Sequence, residues 1–291
     1  MQRLLSKVID YAGLFPPAKL SMADAVANYH RYGMGSEQWI VSRFVCSTAR
    51  LEELAQELER QAIQGVAVSA VGRPSTDRAS WEAALEQDAR DMNAFNGRGC
   101  GDVEAFEIRV PSNAAIDECV RDLRGFDEAD VFVELPWEAG LGESLHALGD
   151  TQWLAAKART GGLTADAFPC AEDLAGFLHL AISLDLDFKL TAGLHHPFRQ
   201  WRDEVQGPMH GFLNVLAATA LIFSEDMPRS LVAKLLLDED PSAFRFDDQR
   251  VAWQGHEADL HAITEARRRL VAFGSCSVEE PLEDLAAAGL A

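Results

Sequence analysis

The sequence predicts an α/β protein folded as a single (β/α)8 barrel over residues 1–291, with its functional site at the carboxyl ends of the strands. Three observations predict it. Short apolar runs alternate with longer helix-patterned segments, as in successive βαβ units around a parallel sheet. Eight such runs can be counted, enough to close a barrel, where six or seven would leave an open doubly wound sheet. Several runs also carry charge near their carboxyl ends, where this fold builds its sites. A length of 291 residues suits the fold, and no G-x-G-x-x-G or P-loop argues for a nucleotide-binding open sheet.

The runs are VIDYAGL (8–14), WIVSRFV (39–45), VAVSAVG (66–72), EAFEIRV (104–110), DVFVEL (130–135), WLAAKA (153–158), DFKLTAG (187–193) and LVAFGS (270–275). The first and the last decide between closed and open, and they are the weakest of the set. Segments 49–62, 80–95 and 171–184 repeat their apolar residues at helical spacing. One interval breaks the rhythm. Residues 197–268 contain an apolar helix pattern at 211–223 and a hairpin pattern at 244–255. They read as an insertion between strands seven and eight, either covering the barrel mouth or serving as an oligomerisation element, so a homo-oligomer stays open.

Composition removes several function classes. Apolar residues at 48% and charged residues at 25% are the proportions of a chain with a packed core. No run approaches the length of a membrane helix, so no membrane partner is expected. The amino-terminal MQRLLSKVIDYAG has no apolar stretch of signal-peptide length, which points to a cytoplasmic protein. Cys46, Cys100, Cys119, Cys170 and Cys276 are scattered without C-x-x-C spacing, against both a disulfide framework and a structural zinc site. A formal charge of −20 makes nucleic acid an unsuitable partner.

Strands of a parallel barrel are covered on both faces and should be almost wholly apolar. Here Arg43, Glu107, Arg109, Glu134, Lys157, Arg159 and Lys189 interrupt them. Residues two apart share a face, so 107 with 109 and 157 with 159 point the same way, and all these charges point into the barrel mouth if the apolar neighbours face the helices. Burying such charges costs heavily unless they pair or meet a charged ligand. An inert ion-pair network is one outcome; a site for an anion is the other, and the surplus of positive charge favours it. Lys157 and Lys189 lie on adjacent strands. A lysine whose pKa is lowered by a neighbouring cation forms Schiff bases, with Glu107 or Glu134 carrying the protons. A lone strand lysine more often serves as an anion-binding charge.

Further polar groups cluster at the same ends. His195 and His196 follow the seventh strand, with His210 and Asn214 after them. Three histidines near a barrel mouth can ligate zinc, but adjacent histidines diverge and nearby cations repel a metal, so substrate contact or acid–base work is preferred and no metal or cofactor is expected. The Gly161-Gly162 and Gly274-Ser275 turns offer backbone N–H groups to an anion, or simply permit tight turns. Asp10 ends the first strand, facing substrate or capping the next turn.

Five stretches, in order, resemble deoxyribose-phosphate aldolases, which are Schiff-base aldolases on this barrel. Ile9-Asp10-Tyr11-Ala12-Gly13-Leu14 with a following proline is similar to that family's I-D-H-T-L-L-x-P, and VFVEL ending in Glu134 to its V-I-x-E-T. Lys157-Ala158-Arg159-Thr160-Gly161 resembles K-T-S-T-G, and Lys189-Leu190-Thr191-Ala192-Gly193 resembles K-A-x-G-G. Phe273-Gly274-Ser275-Cys276-Ser277 resembles the phosphate-binding F-G-A-S-S. The resemblance implies that Lys157 forms the Schiff base, Lys189 perturbs it, and Glu107 stands for the proton-shuttling acid. It also implies that Thr160, Gly161, Thr191, Gly193, Gly274 and Ser275 lie against the substrate. Departures stand beside these matches: Arg159 replaces a small hydroxyl residue, Ala192 a glycine of the phosphate loop, and His195 an arginine. Phe15-Pro16-Pro17 and Thr191–Pro197 are also similar to segments of uncharacterised bacterial proteins, which imply no activity.

The expectation is therefore a class I lyase acting on a small anionic carbonyl compound, phosphorylated or not. Lys157, Lys189, Glu107 and Glu134 would be catalytic. Asp10, Arg43, Arg109, Arg159, Thr160, Gly161, Thr191, Gly193, His195, His196, Gly274 and Ser275 would bind the substrate. The alternatives are another barrel enzyme with the lysines as anion clamps (an isomerase, a phosphosugar transferase or a metal-dependent hydrolase) and a non-catalytic anion-binding barrel.

Overall fold

Each of the eight apolar runs forms a strand in the computed structural model, which describes residues 1–126, 128–247 and 249–290. The first seven are β1 (Ile9–Tyr11), β2 (Val41–Ser47), β3 (Val66–Val71), β4 (Gly101–Arg109), β5 (Asp130–Glu134), β6 (Leu154–Arg159) and β7 (Phe188–Thr191). The 197–268 segment adds five short strands: β8 (Gln200–Arg202), β9 (Gly207–Met209), β10 (Phe244–Phe246), β11 (Arg250–Trp253) and β12 (His256–Asp259). The last, β13 (Leu270–Ser275), pairs in parallel with both β1 and β7 and closes an eight-stranded all-parallel barrel of TIM-barrel type.

Four of the described α-helices start at a residue whose side chain accepts from a free N–H of the first turn. Asp77 caps Arg78–Asn96 in a reciprocal box with Ser80, and the Ser21 side chain caps Met22–Met34. The period-two pattern then divides each strand. Outward residues pack beneath the helices, as Phe273 does in stacking on Phe212 at 5.2 Å between centroids. Inward residues of the lower barrel, Ala105, Phe132 and Ala155 with Val271, form a separate apolar plug. Above that plug the inward positions turn polar, and the site lies there.

The 197–268 segment contains more than one kind of element. Helix Phe212–Glu225 is apolar on every side because both sides are covered, by the barrel flank at Phe273 and by the outer sheet of β10, β11 and β12. The hairpin expected at 244–255 gains a third strand. Gln254 and Gly255 both take positive φ, forming a two-residue turn that returns the chain so that Trp253 pairs with His256. The sequence of that strand, His-Glu-Ala-Asp, has little strand preference of its own. Hairpin β8–β9 lies against the loop after β6, where Gly207 approaches Ala165. No helix among the described residues is long and apolar enough to cross a membrane.

Candidate active site

Register aligns Arg109, Glu134, Lys157 and Lys189 as successive partners across β4, β5, β6 and β7. The inward side chains of Glu134, Lys157 and Lys189 converge with those of Glu107 and Asp10 inside the barrel, while Arg109 stays on the rim. Lys157 Nζ lies 2.8 Å from Glu107 Oε2 and 2.8 Å from Glu134 Oε2. The other oxygen of Glu107 faces Lys189 Nζ at 2.5 Å. Lys189 also donates to Ser69 Oγ at 2.9 Å, pairs with Asp10, and stands 5.3 Å above the Phe132 ring. The Ser69 hydroxyl in turn donates a hydrogen bond to Glu107 Oε1 at 2.6 Å. Glu107 is thus a bridge, bonded to one lysine through each oxygen.

The two lysines lie at different depths. Lys157 and Glu107 line a cavity of about 360 Å³ together with Val45, Val71, Gly274 and Thr191. Lys189 and Asp10 are wholly buried beneath, at 0% exposure each, and do not reach it. The rest of the lining includes the apolar Phe15, Pro16, Pro17 and Leu163 together with Arg159, Ala192, Gly193, His195 and Cys276. Arg159 has no ion-pair partner among the described residues, whereas Arg109, on the exposed rim, stands 3.9 Å from Glu134.

Electrostatics set the resting charges. Burial works against the Lys157 ammonium, but Glu107 and Glu134 outweigh it and hold its pKa above the ordinary lysine range. Burial likewise opposes the Glu107 carboxylate, yet Lys157 and Lys189 together hold it well below the usual carboxylate range. Glu134 is lowered too, against its burial, by Lys157 first and then by Arg159 and Arg109. The lowering of the Lys157 pKa expected from a neighbouring cation is therefore not what the resting structure shows. Glu107 stands between the two lysines and neutralises the repulsion. His195 behaves as a neutral imidazole: burial, with His196 and Arg202 adding to it, lowers its pKa to about 4.

Other expected residues are placed elsewhere. Arg43 points inward but toward the opposite end, where it pairs with Glu104 at 3.2 Å and Asp130 at 2.8 Å; it is no anion anchor. Asp10 supports from below, its Oδ1 accepting the Arg43 N–H at 3.0 Å. Thr160 donates to the Ala192 carbonyl at 2.5 Å and ties the loops after β6 and β7 together. Gly161 and Gly193 pack against each other and Phe168, leaving no space for a Cβ, and Gly193 has a φ of +78°. Of this glycine pair only Gly193 borders the cavity. The Ser275 hydroxyl donates to the Ser277 carbonyl at 2.6 Å. His196 turns away to Asp284, 2.5 Å from its Nδ1, and His210 contacts the Pro169 carbonyl at 2.8 Å. His195 and His196 both stand near Glu280, at 3.7 and 3.9 Å, His210 lies apart from it, and no group of three His, Cys, Asp or Glu among the described residues is arranged to hold a metal ion.

With Arg43 removed and Asp10 added, the interior charges are Lys157, Lys189, Arg109 and Arg159 against Asp10, Glu107 and Glu134. The positive surplus is smaller than the sequence suggests and rests on the two arginines near the mouth. Sequence reading passes over Ser69, although a lone serine in the otherwise apolar run Val66–Val71 is a legible signal. Thr191 borders the cavity, and its hydroxyl is buried without a hydrogen-bond partner among the described residues. No protein family's profile matches the chain, and no curated protein matches it either.

Proposed function

We propose that this barrel is a Schiff-base lyase that attaches a small anionic carbonyl compound to Lys157. One observation carries the reading: the lysine that borders the cavity is held between two carboxylates, each 2.8 Å from its nitrogen. A resting ammonium is not nucleophilic, so one carboxylate must take its proton as the carbonyl arrives. Glu134 is the better acceptor. Once Lys157 becomes neutral, Glu107 still faces the Lys189 cation, while Glu134 loses its nearest one.

The free amine then adds to the carbonyl carbon. The carbinolamine hydroxyl takes the proton back from Glu134 and departs as water, leaving an iminium. Electrons from a C–C bond beside the iminium carbon's neighbour flow into it as a carboxylate removes the substrate hydroxyl proton. An enamine and an aldehyde result. Protonation of the enamine and addition of water to the iminium release the second product and restore the Lys157 ammonium. Lys189 stays buried beneath, holding Glu107 at 2.5 Å throughout.

Cyanoborohydride trapping with a panel of small aldehydes, ketones and keto acids, read by peptide mass spectrometry, tests the assignment. The expected result is a stable adduct on the peptide containing Lys157 that is lost in Lys157→Met. An adduct of equal yield in Lys157→Met refutes the assignment. A second reading rests on the raised pKa of Lys157: a permanent ammonium that donates a hydrogen bond to a substrate oxygen while Glu134 abstracts a proton. It predicts turnover or exchange of substrate protons with no adduct.

A further inference from the structure

The turn after β13 is the place where the resemblance puts a phosphate, and in this chain two of its donors are used internally. Ser275 Oγ donates to the Ser277 carbonyl at 2.6 Å, and the Glu280 N–H is taken by Ser277 Oγ at 3.1 Å. The helix that follows begins with Glu279 and Glu280, and the Glu280 carboxylate stands 3.7 Å from His195 Nδ1 at the cavity wall. His195 itself is neutral, so it offers hydrogen bonds but no positive charge.

A phosphate ester carries nearly two negative charges at neutral pH. Beside this turn it would meet a carboxylate and no free cation. Arg109 and Arg202 are ion-paired to Glu134 and Glu204, leaving Arg159 as the cavity cation without a partner among the described residues. Arg159 and Lys157 are two apart on β6 and share its inward face, about 7 Å between Cα atoms at ordinary strand rise. The same cavity is also lined by the apolar Phe15, Pro16, Pro17 and Leu163. A planar guanidinium above the reacting nitrogen matches one carboxylate, which it can hold through two parallel hydrogen bonds.

We infer that the site selects non-phosphorylated carbonyl compounds bearing a single carboxylate, with Arg159 holding that carboxylate while Lys157 meets the carbonyl. Thr191 Oγ1, buried at the cavity without a partner among the described residues, takes a substrate hydroxyl or carbonyl oxygen. The inference rests on the Schiff-base reading for the role of Lys157, but its content is the choice of anion, and the two fail separately.

The test compares cyanoborohydride trapping rates for pyruvate and 4-oxobutanoate, their neutral amides, dihydroxyacetone phosphate and glyceraldehyde 3-phosphate. Each rate is divided by that of the same compound with propylamine, which removes intrinsic reactivity. The carboxylates should exceed both amides and phosphates by about tenfold or more, the worth of a charge-assisted hydrogen bond. Arg159→Gln should collapse the carboxylate-to-amide ratio to near one. Phosphates trapped as fast as carboxylates, or a ratio unmoved in Arg159→Gln, overturn the inference while leaving Lys157 as the nucleophile. If no compound is trapped, the Schiff-base reading fails, and thermal shift decides the anion by itself. Stabilisation by millimolar lactate that disappears in Arg159→Gln supports the choice; stabilisation by inorganic phosphate alone overturns it.

Discussion

Replacing Lys189 by Met separates the buried half of the charge cluster from the half at the cavity. Methionine keeps most of the chain length and its packing over Phe132, so the loss is mainly that of the ammonium. That ammonium has 0% exposure and serves Glu107 at 2.5 Å, Ser69 at 2.9 Å and Asp10. Removing one partner of a buried ion pair costs about 3–5 kcal/mol, because the other charge stays buried and unpaired. Here two carboxylates are affected, but Glu107 keeps Lys157 at 2.8 Å, so Asp10 carries most of the loss. The expected cost is about 4 kcal/mol, a large share of the roughly 5–15 kcal/mol of a typical protein. Urea unfolding followed by circular dichroism, with unchanged slope, measures it. Asp10→Asn added to Lys189→Met removes the stranded charge while keeping an oxygen for the Arg43 N–H. The double variant should recover about 2 kcal/mol relative to the Lys189→Met single. A Lys189→Met cost below about 1 kcal/mol, or strict additivity with Asp10→Asn, would refute the view that Lys189 is a buried electrostatic support.

Two further perturbations probe the loops and the histidines. Gly193→Ala should destabilise by more than about 2 kcal/mol, since its φ of +78° and the Thr160 carbonyl, 2.8 Å from where the new Cβ would sit, both oppose a side chain. Gly274→Ala, where the nearest atom is 3.6 Å away, should unfold at nearly the same urea concentration yet trap carbonyl compounds more slowly, because the methyl enters the cavity. His195 and His210 both have pKa values lowered by burial from 6.5 to about 4. Their folded forms are neutral, so they contribute stability that is present above pH 6.5 and is lost as pH falls toward 4, because the unfolded chain binds protons first. Unfolding free energy should fall across that window by up to about 3 kcal/mol per histidine, and substituting His210 by Gln should flatten the slope.

How much of the site was legible follows from what sequence spacing encodes. Period two fixes the face of a strand: Lys157, Glu134, Glu107 and Lys189 face inward, and so does Arg43, though at the opposite end from the barrel mouth expected for it. It does not fix height along the barrel axis, which depends on the stagger between strands. That is why Arg43 falls at the far end with Glu104 and Asp130, and why Lys189, though the register partner of Lys157, is sealed off from the cavity that Lys157 borders. Short-range signals had the same limit. Thr160, Gly161 and Ser275 sit where motif order places them, but their hydrogen bonds and packing are spent on joining loops to one another.

By itself, then, the sequence determined the closed (β/α)8 architecture, the eight strands and the set of charges turned toward the interior, because alternating apolar runs have few other ways to bury both faces of a parallel sheet. The tertiary structure decided which of those charges meet. Glu107 bridges two lysines from opposite sides, Ser69 completes the bridge from β3, and Arg159 alone among the cavity cations lacks a partner among the described residues. Such pairings join residues far apart in the chain, and their energies depend on burial and on distances of a few ångströms, quantities that exist only once the barrel has closed.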